Sequence, residues 1–219
     1  MSTVELNWIT PDADQRIGYM ARVSNPEAQP DDPTDKLIKY LITHKHWSPF
    51  EMANACVEIV TTRDIARQIL RHKSFHFQEF SQRYSEAYEE PIISEARTQD
   101  NKNRQNSFVT MDQALKDEWH RIQWTVWDCC WFFYQVALKL GIAKELARKL
   151  LPEGLTRTRM YMNGTIRDWI HYLAVRTEAG TQREHRHVAN QVLVLLEDAC
   201  PTVFKAARQA GIIAPADDA

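Results

Sequence analysis

The sequence predicts an α+β fold: a single helix-rich domain with a small, mainly antiparallel sheet. Three observations lead there. The 219 residues fit one domain with a sizeable core. Hydrophobic residues at 44% and charged residues at 26% are ordinary for a globular chain, and no repeat, low-complexity tract or clear linker divides it. Runs with helical spacing of apolar residues outnumber the short runs that alternate.

The elements follow in order. Val4–Ile9 reads as a short strand, because Val4, Leu6 and Trp8 alternate. Asp12–Val23 reads as a helix with Ile17, Met20 and Ala21 on one face, and Thr34–His44 as another, with Leu37, Tyr40 and Leu41 apolar. Ser48-Pro49-Phe50-Glu51 has the look of a capping box with proline at the first helical position. Ala53–Thr61 alternates as a strand. Thr62 is placed to cap a helix running to His72, on which Arg63, Arg67 and Arg71, four apart, would line one face. Residues 86–106, mostly polar and containing Pro91, are expected to form a long mobile loop. Ser107–Leu140 holds the strongest helix, closed by Gly141 and crowded with aromatics around Trp127, a surplus that suggests self-association. A short helix over Ile142–Leu151 stops at Pro152, and a strand is expected over Leu155–Met162. Helices over Thr165–Thr177, over Gln182–Ala199 and from Pro201 to Gly211 complete the chain.

Composition excludes several classes. A formal net charge of −2 supplies no long-range field to hold a polyanion, so general nucleic-acid binding is not expected. A small anion needs only a local basic pocket. No apolar run approaches the ~20 residues of a membrane span, and Met1-Ser2-Thr3-Val4-Glu5 lacks the pattern of a signal peptide. The four cysteines form no C-x-x-C pair, which points to reduced thiols in a cytoplasmic protein. The six glycines are too dispersed for a G-x-G-x-x-G or P-loop fingerprint.

Two segments concentrate chemistry. Arg71-His72-Lys73 gathers donors and positive charge at a helix end, although cations at a helix C-terminus are explained by the dipole alone. In Gln78-Glu79-Phe80-Ser81-Gln82-Arg83-Tyr84-Ser85, Ser81 and Arg83 would face one side of an extended chain. A hydroxyl beside a guanidinium makes a phosphate cradle; an exposed turn with incidental polar residues explains the run equally well.

Taken together, Arg71-His72-Lys73, seven residues, and then Ser81-Gln82-Arg83-Tyr84-Ser85 resemble the signature of the flavin-dependent thymidylate synthases. That family carries Arg-His-Arg, seven residues and a serine followed by x-Arg-Tyr-Ser, so Lys73 is the departure. A lysine offers a point charge where arginine offers a planar fork of donors. His46-Trp47-Ser48-Pro49-Phe50-Glu51, Ala147-Arg148-Lys149-Leu150-Leu151-Pro152, and Leu173-Ala174-Val175-Arg176 followed by Gln182-Arg183-Glu184-His185 are also similar to family elements, in the same order.

The resemblance implies the family's fold and its conversion of dUMP to dTMP. Methylenetetrahydrofolate would give the carbon, and FAD, reduced by NADPH, would carry the hydride. It implies catalytic roles for Arg176 and His46. It places Gln68, Arg71, Glu79, Ser81, Gln82, Arg83, Arg148 and Arg176 at dUMP. Ser48, Glu51, Arg71, His72, Lys73, Glu79, Asn163, Arg167 and His171 would contact FAD. No metal is implied, and the active sites would be shared within a homotetramer. Flavin and folate would do the hard chemistry while the protein positions substrates and stabilises charge.

Three other readings stay open. The pairs His44/His46, His72/His76 and His185/His187 would suit a metal-dependent nucleotide hydrolase, without an H-E-x-x-H signature. The Arg63-Arg67-Arg71 stripe with aromatics would suit a nucleic-acid-binding module, against the near-neutral charge. Lys73 would suit an inactive nucleotide-binding relative.

Overall fold

A computed structural model describes residues 1–25, 27 and 33–214. The chain forms six strands and eight α-helices among the described residues: β1 (Thr3–Ile9), α1 (Ala13–Ala21), α2 (Thr34–Thr43), β2 (Asn54–Thr62), α3 (Arg63–Ile69), β3 (His76–Glu79), β4 (Arg97–Gln99), β5 (Ser107–Val109), α4 (Gln113–Lys139), α5 (Lys144–Ala147), β6 (Arg157–Thr165), α6 (Ile166–Arg176), α7 (Arg183–Ala199) and α8 (Pro201–Gln209). Four strands make a sheet in the order β1-β2-β6-β3, and β4 pairs antiparallel with β5. This is the α+β class expected.

Contacts divide the chain into two compact units. One comprises Met1–Thr3, Val60–Arg71 and Glu79–Met160; the other comprises Val4–Ile59, His72–Gln78 and Tyr161–Ala219. In the first, α4 carries the aromatic core: Trp127 stacks on Trp131 with centroids 5.6 Å apart, and Tyr134 is fully buried. The same helix ties down the first part of the segment expected to be mobile. Tyr134 Oη accepts from Ala87 N (3.0 Å), Trp127 Nε1 donates to Glu89 O (3.0 Å), and Gln123 exchanges hydrogen bonds with Ser94 N, Oγ and O at 2.9–3.0 Å. Trp119 Nε1 adds a bond to Ser94 O.

In the second unit, Ile17, Ile38, Phe50, Trp169, Val192 and Phe204 are fully buried. The helices there start and stop for local reasons. Thr165 and Asp168 form a reciprocal capping box at α6. Asp14, reaching from α1, accepts from Thr202 N and Val203 N at 2.9 and 3.1 Å, so a side chain distant in sequence satisfies the first amides of α8. Gly164 permits a close approach: a Cβ there would lie 2.6 Å from the ring of Phe75, which also meets Trp169 edge-on at 4.7 Å. Phe75 is thereby seated against β6, and it anchors the turn that carries His72, Lys73 and Ser74. Gly164→Ala would overpack this contact at a cost of about 1–3 kcal/mol.

Several local expectations are corrected. Helix α3 ends at Ile69, so Arg71 lies in the following turn and not on a stripe with Arg63 and Arg67. Thr62 precedes α3 without a side-chain cap bond. Residues 48–52 form one 3-10 segment whose N-cap is Trp47, so Ser48 sits inside it and no capping box forms. Ser81–Ser85 is a turn, closed by Tyr84 N and Ser85 N donating to Ser81 O at 3.1 Å, and not an extended run. Ser107–Val109 is a strand, and α4 begins only after Asp112, whose carboxylate accepts from Leu115 N.

Candidate functional site

In the first unit, Glu79 terminates β3 and Phe80 N bonds to Arg159 O on β6 (2.8 Å). Glu79 Oε1 accepts from Arg63 Nη1 at 3.3 Å and from Thr158 Oγ1 at 2.9 Å, with the Arg63 and Glu79 side chains only 20% and 22% exposed. The carboxylate is therefore held in place and charge-compensated before any ligand arrives. The next turn presents Ser81, Gln82 and Arg83. Ser81 Oγ accepts from Arg83 N at 3.4 Å. Gln82 is 2% exposed, and its amide nitrogen has no hydrogen-bond partner among the described residues. A buried donor left unpaired costs about 1–3 kcal/mol, so this atom calls for an acceptor. Arg83 pairs with Glu145 at 3.3 Å, both well exposed. Gln68 is half-buried near the end of α3, Arg71 is exposed, and Arg148 opens the 3-10 turn after α5.

In the second unit, a cavity of about 570 Å³ gathers Glu51, Arg167 and His171 of the residues expected at the flavin. Arg167 Nη1 pairs with Glu51 Oε1. Ser74, Thr165 and Asp168 line the same cavity and were not foreseen, although Thr165-x-x-Asp168 is a capping pattern readable from sequence. The ring of Trp47 meets His171 edge-on at 4.8 Å. His171 is exposed at the rim, yet the protein packed round its ring and the neighbouring Arg167 charge hold its imidazole below the ordinary value. Ser48 lines a different groove, with Tyr19 and Met20. Asn163 points its Oδ1 into the interior without a partner among the described residues and is not one of the residues lining the 570 Å³ cavity. His46 is exposed and clusters with Tyr40, centroids 5.9 Å apart.

His72 and Arg176 meet directly: Arg176 Nε donates to His72 Nε2 at 2.9 Å. Lys73, next to His72, is exposed. Behind that pair lie Tyr172, which sequence reasoning left without a role, and His185, which it named only in a family-like element and in a histidine pair for a metal; no local spacing reveals their partnership. Three of the four thiols are poorly suited to nucleophilic work. Burial raises Cys56 and Cys130, and burial with the adjacent Asp14 carboxylate pushes Cys200 far up. Among the described residues no three His, Cys, Asp or Glu side chains cluster to hold a metal ion, and no helix is long and apolar enough to cross a membrane.

Comparison with known proteins adds independent findings. The family model described as "Thymidylate synthase complementing protein" matches residues 5–202. The chain is 50% identical over 195 residues to a probable flavin-dependent thymidylate synthase of Paramecium bursaria Chlorella virus 1, covering 89% of this chain and 90% of the relative. It is 48% identical over 190 residues to a flavin-dependent thymidylate synthase of Synechocystis sp., covering 87% of each. Among solved structures it is similar to the UMP/dUMP methylase PolB of Streptomyces cacaoi bound with 5-Br dUMP, with a TM-score of 0.87, 26% identity and 98% of each chain covered.

Proposed function

This chain belongs to the flavin-dependent thymidylate synthase family, and we propose that it converts dUMP to dTMP with methylenetetrahydrofolate as carbon donor and FAD, reduced by NADPH, as hydride carrier. The observation that carries the substrate half of this reading is the buried amide nitrogen of Gln82, without a partner among the described residues, on a turn between Ser81 and Arg83. A ligand oxygen is the natural acceptor for it. Ser81, Arg83 and Arg148 supply a hydroxyl and two guanidiniums for the phosphate and sugar, with Gln68 and Arg71 beside them. Glu79, pre-organised by Arg63 and Thr158, orients whatever donors approach it.

The second unit fits the flavin. The acceptor Asn163 Oδ1 lacks a partner among the described residues, and the cavity of Glu51, Arg167 and His171 offers mixed donors and acceptors. His72 and Lys73, with Arg71 just before them in the chain, suit the pyrophosphate, and Ser48 contributes a hydroxyl from a separate groove. The hydride chemistry is supplied by FAD when bound. Arg176 holds a fixed positive charge toward the pyrimidine carbonyl, stabilising negative charge that develops there. His46 acts beside the reacting centre. The protein works as a cytoplasmic homotetramer with shared active sites. Exposed aromatics on α4, Phe132 (61%) and Phe133 (53%) among them, supply apolar surface for assembly.

The test is an absorbance spectrum of the purified protein followed by anaerobic addition of NADPH, with and without dUMP. A flavin spectrum that bleaches faster with the nucleotide supports the reading. A protein that neither takes up FAD nor responds to dUMP overturns it.

A further inference from the structure

The surroundings of Arg176 extend one layer beyond the residues used so far. Tyr172 and Arg176 lie four apart on α6 and share a face. A guanidinium has no acceptor, so the bond from Arg176 Nε requires a lone pair on His72 Nε2. His72 is then neutral in this arrangement, with its proton on Nδ1. Its ring stands edge-on to Tyr172 at 4.9 Å and to His185 at 6.2 Å. The Tyr172 hydroxyl lies 3.1 Å from His185 Nε2, and the two residues are 2% and 0% exposed. Burial first, then the Arg176 charge, push the His185 imidazole down to about 3, so it too is neutral. Three basic side chains thus carry a single positive charge, on Arg176.

We propose that Tyr172 and His185 are positioning residues: their hydrogen-bonded pair fixes the ring of His72, which holds Arg176 Nε and so aims the rest of the guanidinium. An arginine side chain has many rotamers, and clamping Nε removes much of that freedom before substrate binds. His72 is faced by Tyr172 and Arg176 from α6, by His185 from α7, and by Phe75 of its own turn, edge-on at 6.5 Å. Tyr172 is itself wedged between Phe75 and Trp169, each with centroids 5.8 Å away. The path from His185 to Arg176 is therefore a run of packed rings ending in a directional bond. The proposal rests on the reading that Arg176 acts on the pyrimidine.

The test uses Tyr172→Phe, which keeps the ring and removes the hydroxyl, with His185→Leu, His185→Gln and, in parallel, Arg176→Ala. The readouts are kcat, KM for dUMP, thermal midpoint, and nitrogen NMR of the His72 imidazole in the free protein. Tyr172→Phe and His185→Leu are expected to lose about ten- to hundredfold in kcat with a smaller change in KM, as misplaced catalytic groups do. The His72 spectrum is expected to move from the Nδ1–H tautomer toward a mixture. His185→Gln, whose amide can still meet the tyrosine hydroxyl, should recover most of the activity. A folded Tyr172→Phe with wild-type kcat and an unchanged His72 tautomer overturns the proposal, even if His185→Leu does not fold. An active Arg176→Ala instead overturns the role of Arg176 itself, and is thereby distinguished from failure of the positioning pair alone.

Discussion

Arg83 and Arg176 are both assigned to the nucleotide, and they are built differently. Arg83 sits on an exposed turn with its side chain 66% exposed, paired with the exposed Glu145. Arg176 closes α6, is half-buried, bonds to a neutral imidazole and has no carboxylate partner among the described residues. A phosphate approaching Arg83 would compete with Glu145 for that guanidinium, in a setting where water and salt screen the charge. The charge on Arg176 is uncompensated, at a helix C-terminus that favours it and in surroundings that screen it little. One cation is suited to collecting substrate, the other to stabilising charge during reaction.

The largest effect expected from that contrast is on Arg176→Ala. Thymidylate formation should fall by about 10²–10³ in kcat, as for loss of a charge-stabilising donor, with the thermal midpoint little changed; full activity would break the comparison. The second test concerns how dry the surroundings of Arg176 are. His185 is neutral when folded and ordinarily titrates near 6.5, but burial lowers it to about 3. The unfolded chain therefore binds the extra proton first. The contribution of His185 is complete above pH 6.5 and is lost as pH falls toward 3, at up to about 1.4 kcal/mol per pH unit. Urea midpoints from pH 7 to 4 should show this slope in the wild type and a shallower one in His185→Leu; equal slopes would mean that water reaches the site. Smaller effects belong to the Arg83 side. Ser81→Ala should raise KM for dUMP about fivefold with kcat nearly intact, by the loss of one hydrogen bond, whereas lost turnover at normal affinity would make Ser81 a nucleophile. Glu145→Gln should lower KM about twofold, an advantage that fades at high salt.

The parts of this molecule legible in the sequence are those set by neighbours along the chain. Helices α2, α6, α7 and α8 fall where periodicity and punctuation put them, and the motif order across residues 46–185 located the candidate residues. The misses are tertiary. Arg71-His72-Lys73 looked like a helix end, but α3 stops at Ile69, and Phe75 in the turn beyond packs closely on Gly164. β3 is the end strand of its sheet, only four residues long and with none of them buried, so no apolar alternation marks it. The periodicity of α4 masked Ser107–Val109, although Asp112 as a cap was there to be read. Side-chain partnerships such as Thr158 with Glu79, 79 residues apart, leave no local trace.

The ties from α4 to the irregular segment before it have a consequence for exchange with solvent. Ala87 N donates to a buried tyrosine hydroxyl and Ser94 N to a glutamine that is 2% exposed, whereas the bonds within 99–106 link exposed or half-buried residues to their near neighbours. In deuterated water the amides of Ala87 and Ser94 should behave like those of a helix core, in a stretch with no regular ladder of its own, while the hairpin tip labels within the dead time. Protection here is a property of the long aromatic helix, lent to a segment that has none locally.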